Sequence, residues 1–132
     1  MVIHDSAVHP HQKLIKGITD QLREILEESE QGIYVYRDDV HKSCNSKFAS
    51  WLGYESVEEW SALDGPFMET LVADESQDVL VSAFRRAMED KVGSSFDITW
   101  KKKNGGSFRT RVILVPICYD RELLALHFIT RL

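Results

Sequence analysis

The final third of the chain shows the period-two alternation of apolar and polar side chains that is typical of half-buried β-strands. Residues 96–100 and 108–114 both alternate in this way. Asn104-Gly105 lies between them and is a favoured dipeptide for a two-residue hairpin turn in which both residues have positive φ. A second turn, at Tyr119-Asp120-Arg121, precedes residues 123–129, which are apolar on both faces. Such a segment is typical of a central strand that is covered on both sides.

Two shorter strands are predicted nearer the start of the chain. Ile33-Tyr34-Val35-Tyr36 combines the β-branched and aromatic residues that strands prefer, while residues 40–44 are more polar and fit the edge of a sheet. Arg37-Asp38-Asp39 supplies the turn between them. Together with the three later strands, they predict a five-stranded antiparallel sheet.

Helix-capping residues recur in the segment between the two groups of strands. Asn45 is placed to cap a helix over residues 46–52 that ends at Gly53. Ser56 and Glu59 stand at the spacing of a capping box and predict a short helix towards Leu63.

A longer helix is predicted after the break at Asp64-Gly65-Pro66. Asp74 and Gln77 repeat the capping-box spacing at its start, and Gly93 marks its end. One apolar face of this helix comprises Val79, Leu80, Ala83, Phe84, Ala87 and Met88.

Residues 11–29 predict an N-terminal amphipathic helix that follows a flexible arm at residues 1–10 and precedes the main domain at residues 30–132. Its apolar stripe has spacings of three and four and consists of Ile15, Ile18, Leu22 and Ile25. An isolated helix of this length is marginal in water. The stripe must therefore pack against the sheet, against a twin helix, or against both.

Composition and charge exclude several classes of function. The net charge of -5 argues against nucleic acid as a partner. The longest apolar stretch, around residues 123–129, is too short to cross a bilayer, so no membrane insertion is expected. Cys44 and Cys118 have no CxxC spacing and predict neither a disulfide framework nor a zinc site. These features favour a cytoplasmic protein.

Residues that could carry catalysis or hold a metal are sparse. No nucleophile elbow, phosphate loop or paired-carboxylate spacing is present, so the chain is not predicted to be an enzyme. His127 lies in the predicted central strand and is expected to be buried and hydrogen-bonded. Three imidazoles in a flexible arm do not predict a metal site; they are His4, His9 and His11.

Several short motifs resemble those of the PAS family, in the same order and spacing. Residues 45–48 and 51–54 resemble the family's asparagine-to-Gly-Tyr segment, and Glu58-Glu59-Trp60 resembles the acidic start of its next helix. Lys103-Asn104-Gly105 resembles its basic hairpin, and Phe128-Ile129-Thr130 its closing motif, with Phe where Asp is usual. The resemblance covers roughly residues 29–132. It implies an α+β fold, in which a five-stranded antiparallel sheet and short helices on one face enclose a small cavity.

The resemblance further implies a sensory module of a bacterial-type regulator, and it bears on the cofactor. Flavin-adduct members carry a cysteine inside a helix, whereas Cys44 precedes Asn45 here. Haem-binding members carry a histidine on the long helix, and residues 74–90 contain none. Haem and a covalent flavin adduct are therefore not expected, while non-covalent flavin and the identity of any ligand stay open.

Four aromatic residues come from the elements expected around the cavity and are candidates to line a ligand site: Trp60, Phe67, Phe84 and Trp100. Two functions follow from the resemblance. The first is a signal-transduction module that binds a small organic ligand and signals through a homodimer formed by the stripe of the N-terminal helix. The second is a ligand-free module for dimerisation or protein interaction.

Overall fold

A computed structural model of the chain describes the backbone of residues 5–132 and the side chains of residues 13–132. The helices are α1 (Asp5–Gln21), α2 (Arg23–Glu28), α3 (Ser46–Leu52), α4 (Val57–Ser61), α5 (Phe67–Leu71) and α6 (Asp74–Asp90). The strands are β1 (Gly32–Asp38), β2 (His41–Cys44), β3 (Ser94–Lys101), β4 (Ser107–Tyr119) and β5 (Glu122–Arg131).

The five strands form one antiparallel sheet in the order β2-β1-β5-β4-β3. β5 lies in the centre, as its two apolar faces predicted. The main core lies between the sheet and helices α3–α6, and α1 covers part of the opposite face. The predicted α+β class with a five-stranded antiparallel sheet is confirmed.

The N-terminal helix begins earlier than predicted and is divided in two. α1 starts at Asp5, so residues 5–10 of the predicted arm are helical, while residues 1–4 lie outside the described part of the chain. Leu22 leaves the helical conformation, and α2 then continues to Glu28. Among residues 5–132, no helix has the length and apolar character needed to cross a membrane.

The apolar stripe of the N-terminal helix is shared between the sheet and solvent. Leu14 and Ile18 are buried against side chains of β1 and β5, whereas Ile15 and Leu22 are half-buried. Ile25 is 52% exposed. The sheet therefore takes only part of the predicted stripe, chiefly Ile18, and adds Leu14, which was not predicted as part of it.

The predicted helix caps are confirmed where the capping hydrogen bond joins residues close in sequence. Asn45 and Ser56 accept bonds from the backbone N–H of Phe48 and Glu59, both at 3.0 Å. Gly53 ends α3 with φ of 90°.

The predicted cap of α6 is wrong, because Ala73 occupies the N-cap position and Asp74 is the first helical residue. The N–H of Ala73 donates to the carbonyl of Thr99 at 3.0 Å, which keeps the chain extended along β3 until that point. Val79, predicted on the apolar face, is exposed. The short helix α5 was not predicted at all.

The two hairpin turns differ from the prediction in type. Asn104 does not have positive φ; Gly105 alone does, at 96°, within a longer loop closed by the N–H of Lys102 and the carbonyl of Gly106 at 2.7 Å. The two-residue turn with positive φ at both positions lies instead between β4 and β5, at Asp120 (52°) and Arg121 (68°).

Candidate functional site

A pocket of about 260 Å³ opens between β1, β5 and helices α5 and α6. Most of its lining is aromatic or aliphatic, and the residues are Tyr34, Tyr36, Asp39, Phe67, Met68, Leu80, Val81, Phe84 and His127. Its inner end is formed by fully buried side chains, and its outer end by half-buried and exposed ones. Pockets of this character are the usual place for small-molecule binding.

Tyr34 and His127 form the floor of the pocket. They are paired across β1 and β5, and their rings stack with centroids 3.8 Å apart and planes 9° apart. Both residues are only 1% exposed. Alternation along each strand turns both side chains to the helix-covered face of the sheet, which is why they meet there.

The imidazole of His127 is neutral and incompletely hydrogen-bonded. Burial lowers the pKa of His127 to about 3, and the nearby backbone carbonyls of Tyr34 and Ala125 offset only part of this effect. Its Nδ1 is buried and has no hydrogen-bond partner. The prediction of a buried histidine is therefore correct, whereas the prediction that hydrogen bonds satisfy it fails at Nδ1.

The mouth of the pocket carries a tyrosine–carboxylate pair. The hydroxyl of Tyr36 donates to Oδ1 of Asp39 at 2.5 Å. Burial and this bond to Asp39 raise the pKa of Tyr36 well above its usual value. The rings of Phe67 and Phe84 stand edge-on to Tyr36, with centroids at 5.0 and 5.3 Å. The Tyr36 ring is therefore held in place from both sides.

The charge in the lining is negative. Asp39 is a lining residue, and neither lysine nor arginine is among the side chains that line the pocket. The nearby cation of Lys42 donates instead to the backbone carbonyls of Asp39 and Leu63, at 2.5 and 2.6 Å. The pocket therefore disfavours anionic ligands. Among residues 13–132, no group of three or more potential metal ligands is found.

The four predicted cavity residues divide into two pairs. Phe67 and Phe84 line the pocket. Trp60 and Trp100 do not line it; both are fully buried in the aromatic core behind it. The indole N–H of Trp100 donates to Oγ1 of Thr110 at 2.7 Å. The two indoles therefore support the pocket wall without facing the cavity.

The polar lining residues were not predicted from the sequence. Tyr34 and Tyr36 share one face of β1 because they are two positions apart, and this alternation was a usable signal. The pairing of Tyr34 with His127 depends on the register of distant strands, for which the sequence has no local signal. Asp39 was assigned only to a turn.

A second hollow, of about 320 Å³, lies between α1, β2 and α4. Its lining consists mostly of half-exposed and exposed side chains, among them Lys16, Thr19 and Glu58. Because the aromatic pocket has a fully buried floor, it is the stronger candidate for a ligand site.

No protein-family model matches the sequence, and no curated protein matches it. Solved structures do match. The PAS domain of a two-component sensor histidine kinase has a TM-score of 0.66 at 10% identity, over 89% of this chain and 98% of that chain. The PAS domain of a protein from Colwellia psychrerythraea has a TM-score of 0.67 at 19% identity, over 87% and 97%. The chain has the PAS fold.

The same PAS fold occurs in the fruit-fly ELK potassium channel, whose PAS domain has a TM-score of 0.63 at 16% identity, over 86% of this chain and 95% of that chain. A sensor kinase and an ion channel therefore carry domains of this shape. Since one fold serves such different proteins, the fold alone does not define the function of this chain.

Proposed function

We propose that this chain is a sensory PAS module that binds a small organic ligand in the aromatic pocket and transmits binding through a homodimer. The observation that carries the proposal is the pocket of about 260 Å³ itself, which has mostly aromatic and aliphatic walls and a buried floor of Tyr34 and His127. Concave, mostly apolar pockets of this kind are the usual sites for small ligands. The proposal assigns the chain no catalytic role.

The volume of the pocket sets the size of the ligand. About 260 Å³ equals the volume of about nine water molecules in the liquid. It lies just below the range of about 300–1,000 Å³ that is usual for drug-sized ligands. The proposed ligand therefore has one or two rings. Haem or a flavin would require the side chains of α5 and α6 to move, so neither is part of the proposal.

A ligand on the pocket floor would act on the strands that carry α1. Tyr34 and His127 face the pocket, while their neighbours in sequence, Val35 and Leu126, face α1 on the other side of the sheet. A change in the spacing of β1 and β5 would therefore shift the helix. Such transmission requires the ligand to bind the two arrangements with different affinity.

The N-terminal helices supply the proposed dimer contact. Leu14 and Ile18 are already used against the sheet, which leaves Ile25 and the outer sides of Ile15 and Leu22. A two-fold related copy would cover these apolar side chains.

The alternative is a PAS module for dimerisation or protein interaction that binds no ligand. The observation in its favour is that Trp60 and Trp100 already fill much of the space between sheet and helices, leaving only a small pocket.

Native mass spectrometry of freshly purified protein separates the two functions. Phe84→Trp, which adds bulk at the pocket wall, is the matched control. We expect the wild type to retain a small molecule that the variant releases. Protein that carries no molecule, and whose dimer is the same in both forms, would favour the ligand-free module.

A further inference from the structure

The outer edge of β3 is paired with the chain itself along only part of its length. β3 is an edge strand, and Thr99 directs its backbone polar groups away from the sheet. Its N–H donates to Oγ of Ser76 at 2.9 Å, and its C=O accepts from the N–H of Ala73 at 3.0 Å. Val72 forms an antiparallel bridge with Trp100. An extended segment of this chain therefore already lies along one end of the edge.

The other end of the same edge is open. Backbone groups alternate in direction along an antiparallel strand, so Ser95 and Asp97 direct their N–H and C=O groups to the same side as Thr99. Within residues 5–132, no hydrogen bond from another segment is found to these backbone groups of Ser95 and Asp97. Unpaired N–H and C=O groups on an edge are a template for a further strand.

A hollow of about 390 Å³ lies beside this open edge, between β3 and α6. Val79, Ala83 and Phe96 give it an apolar centre, and Val79 is 44% exposed. Asp78 and Arg86 are also lining residues and are exposed. Neither of them takes part in an ion pair found among residues 13–132. The hollow therefore offers an apolar centre together with one free negative and one free positive side chain.

The two charges have the spacing of alternate side chains on one strand. α6 and β3 run in opposite directions, since Ser76 at the start of the helix bonds to Thr99 near the end of the strand. Asp78 and Arg86 are separated along the axis of α6 by about 12 Å. Two side chains at positions i and i+4 of a strand are separated by about 13 Å. A strand added beside β3 can therefore place opposite charges on both residues and an apolar side chain between them.

We propose that the open edge of β3 binds an extended segment of a partner protein, which adds a strand antiparallel to β3. The segment has the pattern Lys/Arg-x-Val/Ile-x-Asp/Glu. Its basic residue contacts Asp78, its apolar residue contacts Val79 and its acidic residue contacts Arg86, while the two intervening residues exchange backbone hydrogen bonds with Asp97 and Ser95. No residue that lines this hollow lines the aromatic pocket, so the proposal goes beyond the sensing function and does not depend on it.

The probe is the peptide acetyl-Thr-Lys-Thr-Val-Thr-Glu-Thr-amide, titrated against the intact ¹⁵N-labelled protein. We expect saturable shifts and slower amide hydrogen exchange at Ser95 and Asp97. The control peptide carries N-methyl groups on the two threonines that flank valine, so it keeps every side chain but cannot donate to β3. It should bind about tenfold more weakly. Equal binding of the two peptides, or no shift at Ser95 and Asp97 at millimolar peptide, would overturn strand addition.

Arg86→Glu tests the charge pattern. A second peptide, acetyl-Thr-Lys-Thr-Val-Thr-Lys-Thr-amide, has lysine in place of glutamate. The wild type should prefer the glutamate peptide by about threefold, the usual effect of one exposed ion pair, and Arg86→Glu should reverse this preference. Arg85→Glu is the matched control, because it makes the same change of charge outside the lining of the hollow and should keep the wild-type preference. The same preference in the wild type and both variants, or its reversal in both variants, would overturn the role of Arg86.

Discussion

The imidazole of His127 lies flat against the phenol ring of Tyr34, at a centroid distance of 3.8 Å. The two residues occupy the same register position on β1 and β5, so the stack joins the two strands at the floor of the pocket. Both strands also support α1 on their opposite face. The pocket and the N-terminal helix are therefore separated by a single layer of backbone.

His127 should make the fold sensitive to mild acid. Its pKa is about 3 in the folded protein and about 6.5 in the unfolded chain, so only the unfolded state binds a proton as the pH falls through 6.5. The loss of stability caused by His127 is therefore absent well above pH 6.5. Stability should fall by up to about 1.4 kcal/mol per pH unit between pH 6.5 and 3. Urea denaturation at pH 7, 6 and 5 measures this slope.

The matched variants for that slope are His127→Leu and His41→Gln. His127→Leu should lose the part of the slope that corresponds to uptake of about one proton, whereas His41→Gln should keep it, since His41 lies on the edge strand β2 and not in the buried floor of the pocket. An unchanged slope in His127→Leu would mean that another group takes up the proton.

Phe84 and Trp100 should differ in their contribution to stability, although both were predicted to border the cavity. Trp100 is fully buried, so Trp100→Ala should cost about 3–5 kcal/mol. Phe84 is half-buried and faces existing space, so Phe84→Ala should cost about half as much. Chemical denaturation of both variants decides the matter. Equal losses would show that Phe84 belongs to the packed core.

Asn45 should contribute more to stability than an ordinary helix cap. Its Oδ1 accepts from the N–H groups of Ile33 and Phe48, each at 3.0 Å, and its Nδ2 donates to the carbonyl of Gln31. Asn45→Ala should therefore cost about 2–4 kcal/mol, the loss of a cap together with an unpaired buried N–H on β1.

Ser56→Ala is the control for Asn45→Ala, because Ser56 accepts only the N–H of Glu59 among the hydrogen bonds described for its hydroxyl. This variant should cost about 1 kcal/mol. Thermal unfolding of both variants in the same buffer measures their losses of stability. Similar losses would show that Asn45 acts only as a helix cap.

The proposed dimer should depend on Ile25. Because Ile25 is 52% exposed, Ile25→Asp should abolish the dimer without destabilising the monomer. Light scattering combined with size-exclusion chromatography measures the mass. Ile18→Asp is a contrasting variant, since it buries an unpaired carboxylate under the sheet and should destabilise the fold. A folded Ile25→Asp protein that still has the mass of a dimer would place the contact elsewhere.

The sheet and most caps could be predicted because their signals are local. Alternation along β3 and β4 identifies the buried face, and Asn45 and Ser56 bond to backbone groups three residues away. The prediction of a cap at Asp74 was wrong because of a tertiary contact: the hydrogen bond from Ala73 to Thr99 of β3 decides where α6 begins. The five residues of α5 are too few to show a helical period.

The candidate site could be predicted only in part because residue type does not distinguish a core position from a cavity wall. Trp60 and Phe67 are both buried aromatic residues whose ring centroids lie 6.2 Å apart, yet only Phe67 borders the pocket. Which of them does so depends on how α4 and α5 are placed against the sheet. Likewise, His127 becomes a site residue only through its register with Tyr34.

The turn at Asp120 and Arg121 offers a place to re-engineer the protein. Side chains in the left-handed region cost about 1–2 kcal/mol per residue, yet both residues adopt it here. The ten residue pairs between β4 and β5 fix the register of this hairpin, and the strands thereby impose the left-handed conformation on the two turn residues. Asn-Gly at these positions should raise the melting temperature. An inserted reporter domain at this exposed tip would lie at the same end of the sheet as the pocket mouth, because Glu122 beside the turn pairs with Arg37 of β1 at 3.7 Å.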